Sequence, residues 1–291
     1  MLRLALVFFV ACLISPVWAT DCPQHYAAGA PPVIVKASLR ARTQELCFEA
    51  YATVHSGLSR GPLWSAEHLV RANVEAARDL IRENSFHAEP RLPRGDRAEF
   101  TDYVRSGYDR GHMAPNGDMP DRSAQAESFS LANMVPQIHA NNAGIWAGIE
   151  GAARQLAITE GEVYVVSGPA FIGEQISSLQ GRVLVPTHLW KVVYSPQRQQ
   201  AGVYLVTNDA TRTYSALSVS ELERLIGIEP LPGVSQQVRD TLMALPAPKG
   251  NGAGHARKKG ARGAPAAEAG EYTLSDFAHR MLEKLVRRLT H

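Results

Sequence analysis

An α+β fold with an antiparallel-leaning sheet is predicted by the order of elements: strand runs, one central helix, further strand runs, then a second helix. Two periodicities carry that order. β-branched and aromatic runs ended by Gly, Pro or Asn mark the strands. Apolar residues recurring every third or fourth position mark the helices. At 291 residues, 45% hydrophobic and 20% charged, the chain has an ordinary globular balance and enough apolar material for a sizeable core.

Residues 1–19 stand apart. Arg3 precedes an apolar run from Leu4 to Ile14, and Val17-Trp18-Ala19 follows. This is the shape of a signal peptide cleaved near Ala19. The run is shorter than the roughly 20 residues a spanning helix needs. A lipid anchor at Cys12 fits poorly, because apolar residues continue past it and Phe9 sits where a smaller residue is expected. The expectation is a secreted or periplasmic protein with no stable membrane association after cleavage. Loss of Arg3, the one charged residue of the leader, takes the net charge from +2 to +1. That value argues against a broad basic sleeve for nucleic acid and leaves room for a local patch. Cys22 and Cys47 remain, and in an oxidising compartment they are predicted to form a disulfide.

Residues 20–245 read as the main domain. "PPVIVKASL", "LCFEAYATVHS" and "GPLWSAEHLV" are strand runs, and "RANVEAARDLIREN" places Val74, Ala77, Leu80 and Ile81 at helical spacing. Arg91–Tyr108, rich in Pro, Gly and charge, reads as a loop. Trp146, Ile149, Ala153 and Leu156 define one face of a helix beginning near Asn142. "GEVYVVSGPAF", "GRVLVPTHLWKVVYS" and "AGVYLVTN" are three further strands. "SVSELERLIGI" has the capping-box spacing at Ser218 and Glu221, with Gly227 suited to its end. Residues 246–270 form a Gly/Ala/Pro-rich linker carrying Lys249, Arg257, Lys258, Lys259 and Arg262. Residues 271–291 read as an amphipathic helix with Leu274, Phe277, Met281, Leu285 and Leu289 on one face.

The chemistry concentrates in "SGYDRGHMAPNGDM", Ser106–Met119. Its Gly and Pro content argues against a helix. In an extended segment Arg110 and His112 project to the same side. Imidazole is the usual proton acceptor near neutral pH, and guanidinium matches phosphate through its planar fork of donors. On the following helix, taken as regular from its start, Asn142 lies at 0°, Glu150 near roughly 80° and Arg154 near roughly 120°. Asn142 reads either as a helix N-cap or as a hard oxygen ligand for Mg²⁺. Glu150 and Arg154 read either as an i,i+4 pair or as site residues. A zinc site from His112, His139 and Asp118 is the competing metal reading, although the chain has no HExxH or paired CxxC spacing. A nucleic-acid-binding protein with a decayed site would lack the base or the ligand, yet His112, Asn142 and Glu150 are all present.

The blocks "GYDRGHMAP", "SFSLANMVPQ" and "NNAGIWAGIE", in that order, resemble the DNA/RNA non-specific endonucleases, the ββα-metal family that includes endonuclease G and secreted bacterial nucleases. The resemblance runs from about Leu63 to Asn208. It implies a ββα-metal motif on the sheet. By this likeness His112 is the general base and Asn142 the protein ligand to Mg²⁺, with Mn²⁺ a substitute. Glu150 matches the acid beside the metal's water shell, and Arg110 and Arg154 match substrate-side arginines. Asp109 matches a positioning residue. An upstream arginine is also implied; among Arg82, Arg91, Arg94, Arg97 and Arg105 the reading leans to Arg82. Asn141 competes with Asn142, but Trp146 and Glu150 lie four and eight residues after Asn142, which is the family's spacing. The implied activity is phosphodiester hydrolysis in DNA and RNA with low sequence specificity, leaving 5′-phosphate and 3′-hydroxyl ends.

Overall fold

The computed structural model describes residues 20–173 and 175–249. The predicted leader, linker residues 250–270 and the C-terminal helix lie outside the described residues. The strands that matter to the site are β1 (Thr43–Cys47), β2 (Ala52–Ser56), β3 (Gly61–Val70), β4 (Asp109–His112), β5 (Met134–Gln137), β6 (Glu162–Ala170), β7 (His188–Ser195), β8 (Gln200–Thr207) and β9 (Ser215–Leu217). Seven of them form one sheet in the order β9-β8-β7-β6-β3-β2-β1, with every pairing antiparallel. β4 and β5 pair separately as an antiparallel couple. The helices are α1 (Arg71–Arg78), α2 (Phe100–Tyr103), α3 (Arg122–Ser128), α4 (Ala147–Glu160), α5 (Val219–Ile226) and α6 (Gln236–Asp240). The predicted α+β class holds.

Alternation along the strands gives the sheet two buried faces, each with its own apolar cluster. Trp190 and Val192 of β7 face Trp64, Ala66 and Val166 and the N-terminal segment at Cys22 and Tyr26, with Leu222 of α5. Leu189 and Val193 of the same strand face the other way, with Leu69, Val163, Val165, Val74 of α1, and Ile149, Ala153 and Leu156 of α4. Burying each such Ile or Leu contributes about 1.5–3 kcal/mol, so α4 is fixed firmly to the sheet. α5 shows the predicted capping box: Ser218 Oγ accepts the Glu221 N–H at 3.3 Å, and Glu221 Oε2 accepts the Ser218 N–H at 2.8 Å. Gly227 ends it at φ 71°.

Several boundaries differ from the sequence reading. The run 46–56 spans two strands and the turn that joins them: Cys47 ends β1, the Phe48 N–H bonds Tyr51 O at 2.9 Å, and β2 starts at Ala52. Pro186, which has no N–H to give a ladder, separates Val183–Leu184 from β7. α1 stops at Arg78, leaving Ile81 74% exposed. Within the predicted loop 91–108, Glu99 and Asp102 cap each other reciprocally and start the short α2. Cys22 and Cys47 form the predicted disulfide, with Cα atoms 5.8 Å apart.

Candidate active site

The sequence DRGH is extended because it is a strand. In β4, Asp109, Arg110, Gly111 and His112 pair with Gln137, Pro136, Val135 and Met134. Gly111 is required there by close approach: a Cβ would sit 1.9 Å from Gln137 Oε1 and 2.7 Å from Gln137 Cβ.

His112 is buried, at 6% exposed, and its Nε2 has no hydrogen-bond partner. Phe129 packs edge-on at 5.0 Å and Phe86 lies 5.9 Å away. Burial, reinforced by the charges of Arg82 and Arg110, pushes the imidazole down to about 3. The ring is therefore neutral at physiological pH, with an unbonded nitrogen. Its carbonyl accepts the Trp146 Nε1–H at 3.3 Å.

Arg110 shares Phe86 with His112, as the same-side expectation requires. Its guanidinium lies 4.2 Å from the Phe86 centroid and 4.8 Å from that of Phe100. Its Nε has no partner. Of the five upstream arginines, Arg82 acts on both His112 and Glu150 and lies 5.3 Å over Phe129. Arg91 is bonded to Glu89 and Cys47 O, Arg97 to Glu99, and Arg94 faces Glu99 at 3.8 Å. Arg105 lines a different cleft, with Asp102, Ser106 and Tyr108.

Asn142 is not an N-cap. Residues 141–146 form a π turn with Gly144 at φ −104°, ψ −107°, and the regular helix begins at Ala147. The wheel drawn from a regular helix at Asn142 is thereby corrected: the wider turn shifts Asn142 relative to Glu150 and Arg154. Asn142 Nδ2 donates to Asp109 Oδ2 at 2.8 Å, and the same oxygen receives His139 Nδ1 at 2.9 Å. Asp109 thus orients the Asn142 amide. Asn141 is fully buried and engaged at both ends: Oδ1 accepts from Gln137 at 2.7 Å, and Nδ2 donates to Thr207 O at 2.8 Å.

Burial pushes the Glu150 carboxyl up to about 7, against the lowering effect of Lys191, Arg154 and Arg82, while Asp118 adds to the rise. Arg154 does not pair with Glu150 by a hydrogen bond. Its Nη1 donates to buried Asp118 at 2.6 Å. Burial opposes the Arg154 charge, but Asp118 and Glu150 more than offset it and raise its pKa. The zinc reading fails on geometry. Among the described residues the one His/Cys/Asp/Glu group close enough to hold a metal is Cys22, Glu45 and Cys47, and its cysteines are disulfide-bonded. His139 instead pairs with Asp109, and Asp118 with Arg154.

Sequence reasoning missed the groups beneath the site. Lys191 and Glu67 sit within apolar strands at 1% and 0% exposure. A lone charge inside "HLWKVVY" and another inside "LWSAEHLV" were the available signals. Asn133, also fully buried, bonds both the N–H and the carbonyl of Ala114, at 2.9 and 2.8 Å.

The site as a whole is a neutral base with an unbonded nitrogen, arginines able to face an anion, and an oriented amide beside a carboxyl. Residues 30–237 match the family described as DNA/RNA non-specific endonuclease. Nuclease C1 of Cunninghamella echinulata var. echinulata is 33% identical over 200 residues, 62% of this chain and 79% of that protein. The human mitochondrial nuclease EXOG is 34% identical over 208 residues, 64% of this chain and 56% of its own length. The chain thus spans little more than half of EXOG. A solved structure described as the EndoG/EndoGI complex and the mechanism of EndoG inhibition superposes with TM-score 0.56 at 26% identity, covering 63% of this chain and 84% of that one. These relatives correct the expected secreted or periplasmic location. Several are named as mitochondrial nucleases, EXOG among them, so an apolar N-terminal run on this fold does not assign an exported destination.

Proposed function

The chain belongs to the DNA/RNA non-specific endonuclease family, and from that premise we propose that it is a magnesium-dependent endonuclease, with manganese a substitute, cleaving DNA and RNA with low sequence specificity. Residues 20–245 form the catalytic domain in this reading. The observation that carries it is the unpartnered Nε2 of His112 on β4, held neutral beside Arg82 and Arg110.

Asn142 would hold the metal. Its Oδ1 makes no hydrogen bond among the described residues, and Nδ2 is fixed on Asp109. A neutral hard oxygen, followed by the Glu150 carboxyl in the first turn of the next helix, fits magnesium, which keeps most of its waters. When bound, the ion supplies charge neutralisation at the phosphate and at the leaving oxygen. His112 Nε2 takes the proton of a water whose oxygen attacks phosphorus. The P–O3′ bond breaks as the new P–O bond forms, and the 3′ oxygen takes a proton from solvent, which gives 5′-phosphate and 3′-hydroxyl ends. Arg82, Arg110 and Arg154 brace the non-bridging oxygens, Arg154 through the donors not bound to Asp118. Contacts confined to phosphate read no base, in keeping with low specificity.

The test is digestion of plasmid DNA and of RNA by the purified chain with Mg²⁺, with Mn²⁺ and with EDTA, followed by end analysis. Cleavage that survives EDTA, or 3′-phosphate products, would overturn the reading.

A further inference from the structure

Four adjacent strands carry one polar row on the face beneath α4. Thr53, Ser65, Ser167 and Lys191 are successive register partners on β2, β3, β6 and β7. All four are buried, the most exposed being Lys191 at 1%. Around them on this face stand Leu69, Val163, Val165, Leu189 and Val193, with Glu67 the one other charged residue among them.

The hydrogen bonds of the row lead to the backbone that follows His112. Ser65 Oγ donates to Asn133 Oδ1 at 2.8 Å, and Asn133 clamps both polar groups of Ala114. Lys191 Nζ donates to Met113 O at 3.4 Å and to Ser167 Oγ. The same ammonium lies 5.1 Å from the Trp146 ring, and Trp146 Nε1 donates to His112 O. Two consecutive carbonyls, those of His112 and Met113, are thus held from the sheet side, one through Trp146 and one by Lys191 directly.

Burying an ammonium is costly unless its donors find partners. The usual partner is a carboxylate, yet among the described residues Lys191 forms no ion pair. Glu67, two residues from Ser65 on β3, is fully buried with both carboxyl oxygens unbonded. Lys191 is directed to neutral acceptors, one of them the backbone next to the base.

We infer that Lys191 is a positioning residue for His112, fixing the imidazole by gripping the Met113 carbonyl and bracing Trp146 from the sheet. This rests on the nuclease reading with His112 as its base. A base displaced by about 1 Å loses on the order of 10²-fold in rate, whereas substrate affinity, carried by the arginines, is untouched.

The experiment compares wild type, Lys191→Met, His112→Ala and the double variant as full chains, measuring kcat and KM on DNA with Mg²⁺ beside a thermal melt. Lys191→Met is expected to lower kcat by about 10–10²-fold with KM nearly unchanged. In the His112→Ala background the same substitution is expected to cost less than about twofold, because the residue it positions is gone. Equal losses in both backgrounds would show general structural damage and overturn the inference, as would full kcat in folded Lys191→Met. Should Lys191→Met fail to fold, Lys191→Arg keeps the charge but moves the donors. The same criterion then applies: loss confined to the His112 background supports the inference, and additive loss overturns it. A wild-type chain inert on DNA and RNA overturns the nuclease reading and this inference together; an active one with additive losses overturns this inference alone.

Discussion

The Asp109 carboxylate faces the amide of Asn142, with Oδ2 accepting Nδ2 at 2.8 Å across the gap between β4 and the turn that leads into α4. A carboxylate only accepts, so the nitrogen must be the end that meets it, and Oδ1 is turned away. Asn142→Asp would set two carboxylates against each other, so that variant is expected to lose activity although it keeps an oxygen ligand. Adding Asp109→Asn restores one donor and one acceptor across the pair. The double variant is expected to recover at least about tenfold over Asn142→Asp in the Mg²⁺ concentration giving half-maximal activity, the size of effect typical of groups that orient a ligand. No recovery would mean that Asp109 does not orient Asn142.

Asn142 caps nothing in this structure, since no cap bond from its side chain exists at the start of the helix. Asn142→Ser, which shortens the reach but keeps an oxygen, gives up only the half-buried bond to Asp109 and is expected to lower the melting temperature by no more than about 2–4 °C, the effect of about 1 kcal/mol in a domain of this size. Its activity at low Mg²⁺ should fall by at least about tenfold. Titration of activity with Mg²⁺ beside the melt separates the two; full turnover with unchanged metal dependence would return Asn142 to a structural role.

How much of this was legible depended on range. The α4 face was readable because Trp146, Ile149, Ala153 and Leu156 repeat at local helical spacing and are buried together. The α5 boundaries were readable because Ser218, Glu221 and Gly227 encode their own caps. The π turn at 141–146 was not, because no side-chain period marks a widened turn. The pairing of Arg154 with Asp118 was missed because those residues are 36 positions apart, and the available i,i+4 partner, Glu150, looked sufficient. Lys191 escaped because a charge inside a strand carries no local sign of what it bonds.

The covalent frame gives a stability prediction. Cys22 and Cys47 close a loop of 25 residues that ties the N-terminal segment to β1. The loop-entropy account assigns about 3–4 kcal/mol to such a closure. Cys22→Ser with Cys47→Ser should lower stability in urea by about that amount and leave the Mg²⁺ dependence unchanged. Non-reducing peptide mapping should show the linked pair, and two freely alkylatable thiols in the native chain would refute the bond.

His112 makes the acid limb of stability diagnostic. Its folded value, pushed to about 3 by burial and two arginines, lies below the ordinary 6.5. Between those values the unfolded chain binds a proton that the folded chain does not, so stability is full above pH 6.5 and is lost as the pH falls toward 3. At pH 5 the loss from this one group is about 2 kcal/mol, at 1.36 kcal/mol per unit. His25, His55 and His188 are lowered too and act in the same direction. Glu150, raised to about 7, acts in the opposite one, because its folded form holds a proton that the unfolded chain releases as pH rises from 4.5. The comparison of wild type with His112→Ala cancels those shared groups. Denaturation in EDTA at pH 7.5 and pH 5 should show wild type losing about 2 kcal/mol more than His112→Ala over that interval, while kcat of the variant at pH 7.5 falls by about 10²–10⁴-fold. Parallel pH slopes would mean that the imidazole is not held neutral in the fold, and wild-type turnover in folded His112→Ala would remove it as the base.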